Sequence, residues 1–131
     1  MIKPKFRCST NKAILKIAKE LQLEYNSVMQ DWEWEIANPK QIEKYIECYK
    51  TLVDEDEKFT LMEIIIQALT DQDEDEKLKK YWEEVKEFLK ANFGVHEYSI
   101  FYWSCFENEN VEECWQITPQ MRSLWKECNV G

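Results

Sequence analysis

The chain has 131 residues, of which 44% are hydrophobic and 33% charged, with a net charge of −9 and two isolated glycines. This length suits one domain with one core (residues 1–131), and the lack of a glycine-rich stretch excludes the common phosphate-binding loops. No window is apolar over the ~18 residues that a membrane span needs, and charges interrupt the apolar part of the N-terminus, which argues against a signal peptide. We therefore expect a cytoplasmic protein.

The charge is unevenly distributed along the sequence. Residues 1–23 carry a net +5, residues 24–131 a net −14, and residues 54–76 alone a net −9. Such a field repels nucleic acids and anionic membranes and attracts basic partners. The alternative is that these acids only mark solvated helix starts, where carboxylates are common.

Helical patterns dominate the sequence. Capping residues and apolar residues at three- and four-residue spacing predict five helices, covering residues 9–23, 39–53, 54–69, 75–92 and 118–128. The third helix is apolar on nearly every side and should lie in the middle of the fold, although a buried strand at "LMEIII" is an alternative. Gly94 is expected to end the fourth helix.

Two aromatic segments have a strand-like pattern. "EYSIFYWSCF" (residues 97–106), "ENEN" and "VEECWQIT" together predict a C-terminal β-hairpin. The fold class is then mainly α (α+β), a single compact layered domain. The aromatic faces of this hairpin either pack between layers or form an exposed patch for a partner, with Tyr102 and Trp103 as contacts.

The second strand-like segment is "DWEWEIANPK" (residues 31–40). In an extended chain Trp32 and Trp34 share one face, which indicates core residues, and Glu33 and Glu35 lie about 7 Å apart on the other. That separation is compatible with the two carboxylates of a glycoside hydrolase. The alternative is the wet face of a short strand that leads into the helix starting at Asn38-Pro39.

The remaining reactive side chains match no known pattern. The five cysteines are spaced unlike any zinc site, so we predict no metal, no cofactor and no catalytic residues. Cys105 and Cys114 would face each other across the predicted hairpin, either as a regulated disulfide or as reduced packing thiols. His96 follows a helix end, where a surface or capping role is expected.

Four blocks of sequence resemble small acidic bacterial proteins of the immunity type, which are encoded beside a toxin that they neutralise. The blocks are "DWEWEIANPKQIEKYI", "EKFTLMEIIIQAL", "FYWSCF" and "ITPQMRSLW". The resemblance implies a protein-binding inhibitor rather than an enzyme, and it identifies no catalytic residues.

Charge and resemblance together predict an inhibitor that neutralises a basic toxin domain through an acidic surface, with neither nucleic acid nor membrane as partner. The alternatives are a small hydrolase using Glu33 and Glu35, and a structural adaptor subunit. The predicted partner-binding residues are the acids and aromatics Asp54, Glu55, Asp56, Glu57, Asp71, Asp73, Glu74, Asp75, Glu76, Tyr102 and Trp103.

Overall fold

The computed structural model describes residues 3–26 and 28–129, and the chain divides into two compact units. One unit comprises residues 8–72, and the other comprises residues 1–7 together with residues 73–131. The prediction of a single domain stays a prediction.

The described residues form seven α-helices. They are α1 (Asn11–Leu21), α2 (Trp32–Ile36), α3 (Ile42–Tyr49), α4 (Glu55–Thr70), α5 (Asp75–Ala91), α6 (Phe93–Ser104) and α7 (Thr118–Cys128), with short 3₁₀ turns at Pro39–Gln41 and Val111–Glu113. No strand occurs within residues 3–26 or 28–129. The predicted α+β class and its C-terminal β-hairpin are therefore wrong. None of these helices combines the length and the apolar character that crossing a bilayer would require.

Side chains cap two helical segments of the first unit, α1 and the 3₁₀ turn before α3. The Thr10 side chain accepts a hydrogen bond from the Ala13 N–H at the start of α1, and the Asn38 side chain accepts one from Lys40. These side chains satisfy N–H groups that the first helical turn leaves without a backbone partner. Both helix starts can therefore be read from the sequence.

Helix α4 is the central helix of its unit, as its composition predicts. Ten of its sixteen residues are buried, and α1, α2 and α3 all pack against it. Burial on almost every side explains why its apolar residues show so little amphipathic periodicity. The alternative of a buried strand at "LMEIII" is wrong.

The segment that begins with the two tryptophans is a short helix, not a strand. The N–H groups of Trp34 and Glu35 both donate to the Asp31 carbonyl, which closes the first turn of α2. Residues two apart on a helix point about 200° apart, so the two tryptophans separate. Trp32 is buried and donates its indole N–H to the Glu24 carbonyl at 2.7 Å, whereas Trp34 is half-buried.

In the second unit, helix α5 ends one residue before the predicted boundary at Asn92, and a new helix begins at once. Helix α5 ends at Ala91, and the Asn92 carbonyl accepts from Val95 and His96 to start the next helix. Gly94 lies inside α6, so the prediction that it ends a helix is wrong. A Cβ added at Gly94 would meet no atom within 4 Å, so no close approach requires glycine here.

The predicted first strand of the hairpin is helix α6. Its buried face consists of Val95, His96, Ser99, Ile100, Trp103 and Ser104, which is helical spacing. Three of these six side chains are polar, so the buried face is not an apolar stripe. The other aromatic side chains of this helix lie half-buried on the flanks, and packing here overrides the β-propensity of single residues.

Helix α7 completes the second unit by packing against α6. Met121, Leu124 and Trp125 are buried, and Cys128 is half-buried. Thr118 is the first helical residue rather than the cap, and its hydroxyl donates to the Trp103 carbonyl at 2.9 Å. This buried bond joins the start of α7 to the end of α6.

Candidate partner-binding surfaces

The first predicted acidic cluster, residues 54–57, forms the start of α4. Asp54 is the N-cap, and its carboxylate accepts a hydrogen bond from the Glu57 N–H at 3.0 Å. Asp54 and Glu55 are exposed, whereas Asp56 and Glu57 are half-buried. Carboxylates here interact favourably with the helix dipole. This cluster therefore has a structural role in addition to any role in binding.

Replacing Asp54 with alanine should lower the free energy of unfolding by about 1 kcal/mol, because the cap bond is lost. Asparagine is nearly as favourable as aspartate at the N-cap position, so Asp54→Asn should lower the free energy of unfolding much less. Urea denaturation of the two variants checks this difference. Equal losses would show that the negative charge, rather than the cap bond, stabilises the start of α4.

Asp71 lies at the opposite end of the same helix. It follows the last residue of α4 and accepts a hydrogen bond from the Gln67 side chain at 3.0 Å. A helix of sixteen residues is about 24 Å long, so Asp71 is far from the cluster at residues 54–57. The acids of the −9 stretch therefore do not form one continuous patch in this unit.

The second cluster, Asp73–Glu76, belongs to the other unit and forms the start of α5. All four side chains are exposed. Asp73 accepts from Lys77 at 3.1 Å, and Asp75 pairs with Lys79 at 2.9 Å. These bonds raise the pKa of both lysines. Both pairs are open to solvent, and such pairs contribute little to stability, so a basic partner can compete for the carboxylates.

The two aromatic residues predicted as contacts differ in exposure. Trp103 is only 1% exposed and packs against Trp115, with ring centroids 4.6 Å apart. It is a core residue and is not retained as a partner contact. Tyr102 is half-buried and stacks on the same Trp115 ring at 5.4 Å. Of the two, only Tyr102 presents surface to a partner.

A third acidic cluster escaped the sequence prediction. The loop between α6 and α7 carries four exposed glutamates, Glu107, Glu109, Glu112 and Glu113. Residues 107–113 contain four glutamates and no lysine or arginine. This imbalance is visible in the sequence and could have identified the cluster. The predicted hairpin places Glu107 and Glu109 in its turn and Glu112 and Glu113 in its second strand. We call residues 105–114, which include these glutamates, the acidic loop.

Arg122 of α7 holds the base of the acidic loop. Its guanidinium donates to the carbonyl oxygens of Ser104 at 2.7 Å, Cys105 at 2.8 Å and Asn108 at 2.8 Å. The last turn of a helix leaves carbonyls without backbone partners, and a planar guanidinium can satisfy several of them at once. One side chain thus fixes the end of α6 and the first part of the loop.

The two ends of the acidic loop bring two thiols together. The Sγ atoms of Cys105 and Cys114 lie 2.9 Å apart, and both cysteines are free thiols. The sequence predicted that they would face each other, but across strands. In the structure the contact arises because α6 ends at Cys105 in a left-handed conformation (φ 53°) and the loop returns to it.

The structure does not support the strand geometry on which the hydrolase alternative depends. Glu33 and Glu35 lie two residues apart on helix α2 and not on a strand, so their side chains diverge. Burial raises the pKa of Glu33, as a general acid would require. Glu33 is half-buried, whereas Glu35 is exposed.

His96 is fully buried in α6, so its predicted surface or capping role is wrong. Within the described residues, no group of three or more His, Cys, Asp or Glu side chains is arranged to hold a metal ion. A cleft of about 290 Å³ lies between the N-terminal segment and the start of α6. It is lined by Lys5, Phe6, Arg7, Gly94, Val95, Glu97 and Tyr98, none of which is a predicted site residue.

Comparison of the chain with protein-family models, with curated proteins and with solved structures finds no match in any of the three.

Proposed function

We propose that this protein is a cytoplasmic inhibitor that binds a basic protein, in the manner of an immunity protein that neutralises a toxin domain. The observation that carries the proposal is the excess of carboxylates in both units. The unit of residues 8–72 has seven basic and thirteen acidic residues, a net −6. The unit formed by residues 1–7 and 73–131 has ten basic and thirteen acidic residues, a net −3.

The cluster Asp73–Glu76 is the part of this charge best suited to a partner. Its four carboxylates are all exposed, whereas Asp54 is used as a helix cap and two members of its cluster are half-buried. The lysine contacts of Asp73 and Asp75 are solvent-exposed pairs, which exchange readily for contacts with a partner. Tyr102 provides a half-exposed aromatic contact in the same unit.

Opposite charge supports fast association more than it supports affinity. Complementary fields raise association rate constants well above those of neutral pairs, and dissolved salt screens the effect. A toxin domain that acts on a nucleic acid needs a basic groove for its substrate. An acidic protein that occupies such a groove inhibits by exclusion and requires no reactive group of its own.

Three variants with equal charge change test where the partner binds. Each converts four acids to their amides, at residues 54–57, at residues 73–76, or at the acidic-loop glutamates, and each changes the net charge from −9 to −5. Asparagine keeps the cap at position 54. The protein tested as the partner is the product of the adjacent gene, and its association is followed by stopped-flow fluorescence.

We expect the variant at residues 73–76 to associate about tenfold more slowly, because it removes steering at the point of contact. The acidic-loop variant is the matched control, and its association rate should decrease much less. Equal slowing by all three variants would contradict a local surface, since only net charge would then matter. A toxicity assay in cells distinguishes an immunity protein from a structural adaptor. An immunity protein protects cells from the product of the adjacent gene, whereas an adaptor binds that product without protecting the cells.

A further inference from the structure

The ends of the acidic loop contain a side-chain cluster that partner binding does not use. We propose that Cys105 and Cys114 form an oxidant-sensitive modification site, in which a hydroperoxide converts the two thiols into a disulfide that closes the loop. The chemical class of the reactant is a small hydroperoxide, with hydrogen peroxide as the simplest member. This inference is independent of the proposed function.

The distance between the two sulfur atoms supports the proposal. They lie 2.9 Å apart, whereas a disulfide bond requires about 2.05 Å. The approach of less than 1 Å that remains falls within a loop whose tip is exposed. We therefore expect closure to leave α6 and α7 in place.

The two thiols differ in a way that assigns their roles. Cys114 is half-exposed, so dissolved peroxide can reach it. Cys105 is buried, and burial together with the neighbouring Cys114 thiol raises the pKa of Cys105 to about 12. Because the thiolate is the nucleophile towards peroxides, Cys114 is the thiol that peroxide oxidises first and Cys105 is the resolving thiol.

Arg122 holds this arrangement in place. Besides its bonds to the loop carbonyls, its guanidinium lies 3.9 Å from the Cys114 sulfur and offers it a hydrogen-bond donor. It also donates to the Cys105 carbonyl at 2.8 Å. One side chain therefore contacts both cysteines, and it acts as a positioning residue for the pair.

The reaction balances with one equivalent of peroxide. The Cys114 thiolate attacks one peroxide oxygen, the O–O bond breaks, and the departing hydroxide takes up a proton to give water and a sulfenic acid. The Cys105 sulfur then attacks the Cys114 sulfur, the S–O bond breaks, and the hydroxide leaves with the Cys105 proton as a second water. Two thiols are oxidised by two electrons in total, and a dithiol reductant reverses the change.

Mass spectrometry of the full reduced chain tests the proposal. The folded protein is treated with hydrogen peroxide near neutral pH, its remaining thiols are alkylated, and it is digested with a protease that cleaves after glutamate. Four glutamates lie between the two cysteines, so cleavage separates them unless a disulfide joins the peptides. We expect a linked pair, released by reductant, that forms about tenfold faster than the exposed Cys8 is oxidised.

The cysteine variants assign the order of events. Cys105→Ser should leave a sulfenic acid at Cys114 that dimedone traps, and Cys114→Ser should leave Cys105 reduced. Cys48→Ser is the matched control, because Cys48 is also half-buried but lies in the other unit, and it should not alter the linked pair. Circular dichroism of each variant verifies its fold.

Two results overturn the proposal. One is oxidation of Cys8 as fast as that of Cys114 with no linked pair in the folded chain. The other is a linked pair that appears only after unfolding in urea. Both are measured on the unsubstituted protein, so they stand even where a variant does not fold.

Discussion

Replacing Trp32 with alanine is expected to lower the free energy of unfolding by about 3–5 kcal/mol, the usual loss for a buried tryptophan. The side chain is 1% exposed, and its indole N–H donates to the Glu24 carbonyl at 2.7 Å. The substitution removes both the packing and that bond. Urea denaturation followed by circular dichroism measures the loss.

Trp34→Ala is the matched control for this prediction. Trp34 lies two residues further along the same helix, is half-buried, and donates to the Glu63 carboxylate at 3.3 Å. We expect a clearly smaller loss than for Trp32→Ala. Equal losses would contradict the helix at residues 32–36, because a strand would place both rings on one face.

The second large effect is expected at Arg122. Its alanine variant loses three hydrogen bonds to the carbonyls of Ser104, Cys105 and Asn108. Bonds from a charged donor contribute about 1.5–3 kcal/mol each but are not additive, so we expect a total loss of about 3 kcal/mol. Urea denaturation measures this loss, and an increase in amide hydrogen exchange across the acidic loop should accompany it.

Two further variants on α7 sharpen this test. Arg122→Lys keeps the charge but not the planar fork, so it should recover only part of the stability. Lys126→Ala removes an exposed cation from the same helix and should change stability by no more than about 0.5 kcal/mol. If Arg122→Ala behaved like Lys126→Ala, the guanidinium would not be the anchor of the loop.

The elements that could be predicted from the sequence are those specified by local interactions. Asp54 caps α4, Thr10 caps α1, and Asn38-Pro39 starts the 3₁₀ turn before α3, because each of these features depends on residues within one helical turn. The apolar composition of α4 likewise predicted its central position. No long-range information was needed for any of them.

The two segments with a strand-like pattern, residues 32–36 and helix α6, lack a clear helical periodicity for different reasons. Residues 32–36 alternate large apolar and acidic side chains over too few residues to distinguish a strand from one helical turn. Helix α6 places His96, Ser99 and Ser104 on its buried face, so its hydrophobic periodicity is lost. The serine hydroxyl of Ser104 donates to the Ile100 carbonyl at 2.7 Å, an interaction within the helix that the sequence pattern cannot indicate.

The candidate site was predicted in part. The acids at residues 73–76 are exposed as expected, but the helix length that separates Asp71 from residues 54–57 becomes visible only in the fold. The contact of Cys105 with Cys114 was anticipated for a different reason from the one observed. The Arg122 anchor was not predicted, because its partners are backbone carbonyls, which leave no trace in side-chain patterns.

The central claim is that charge on this protein directs it to a basic partner, and the salt dependence of the association rate constant tests it most directly. For the unsubstituted protein and the product of the adjacent gene, we predict a steep fall in this rate constant between low and high salt. The variant neutralised at residues 73–76 should have a lower association rate constant at low salt, and this rate constant should decrease less as salt is added. A rate constant that is independent of salt and equal in both proteins would contradict the proposed function.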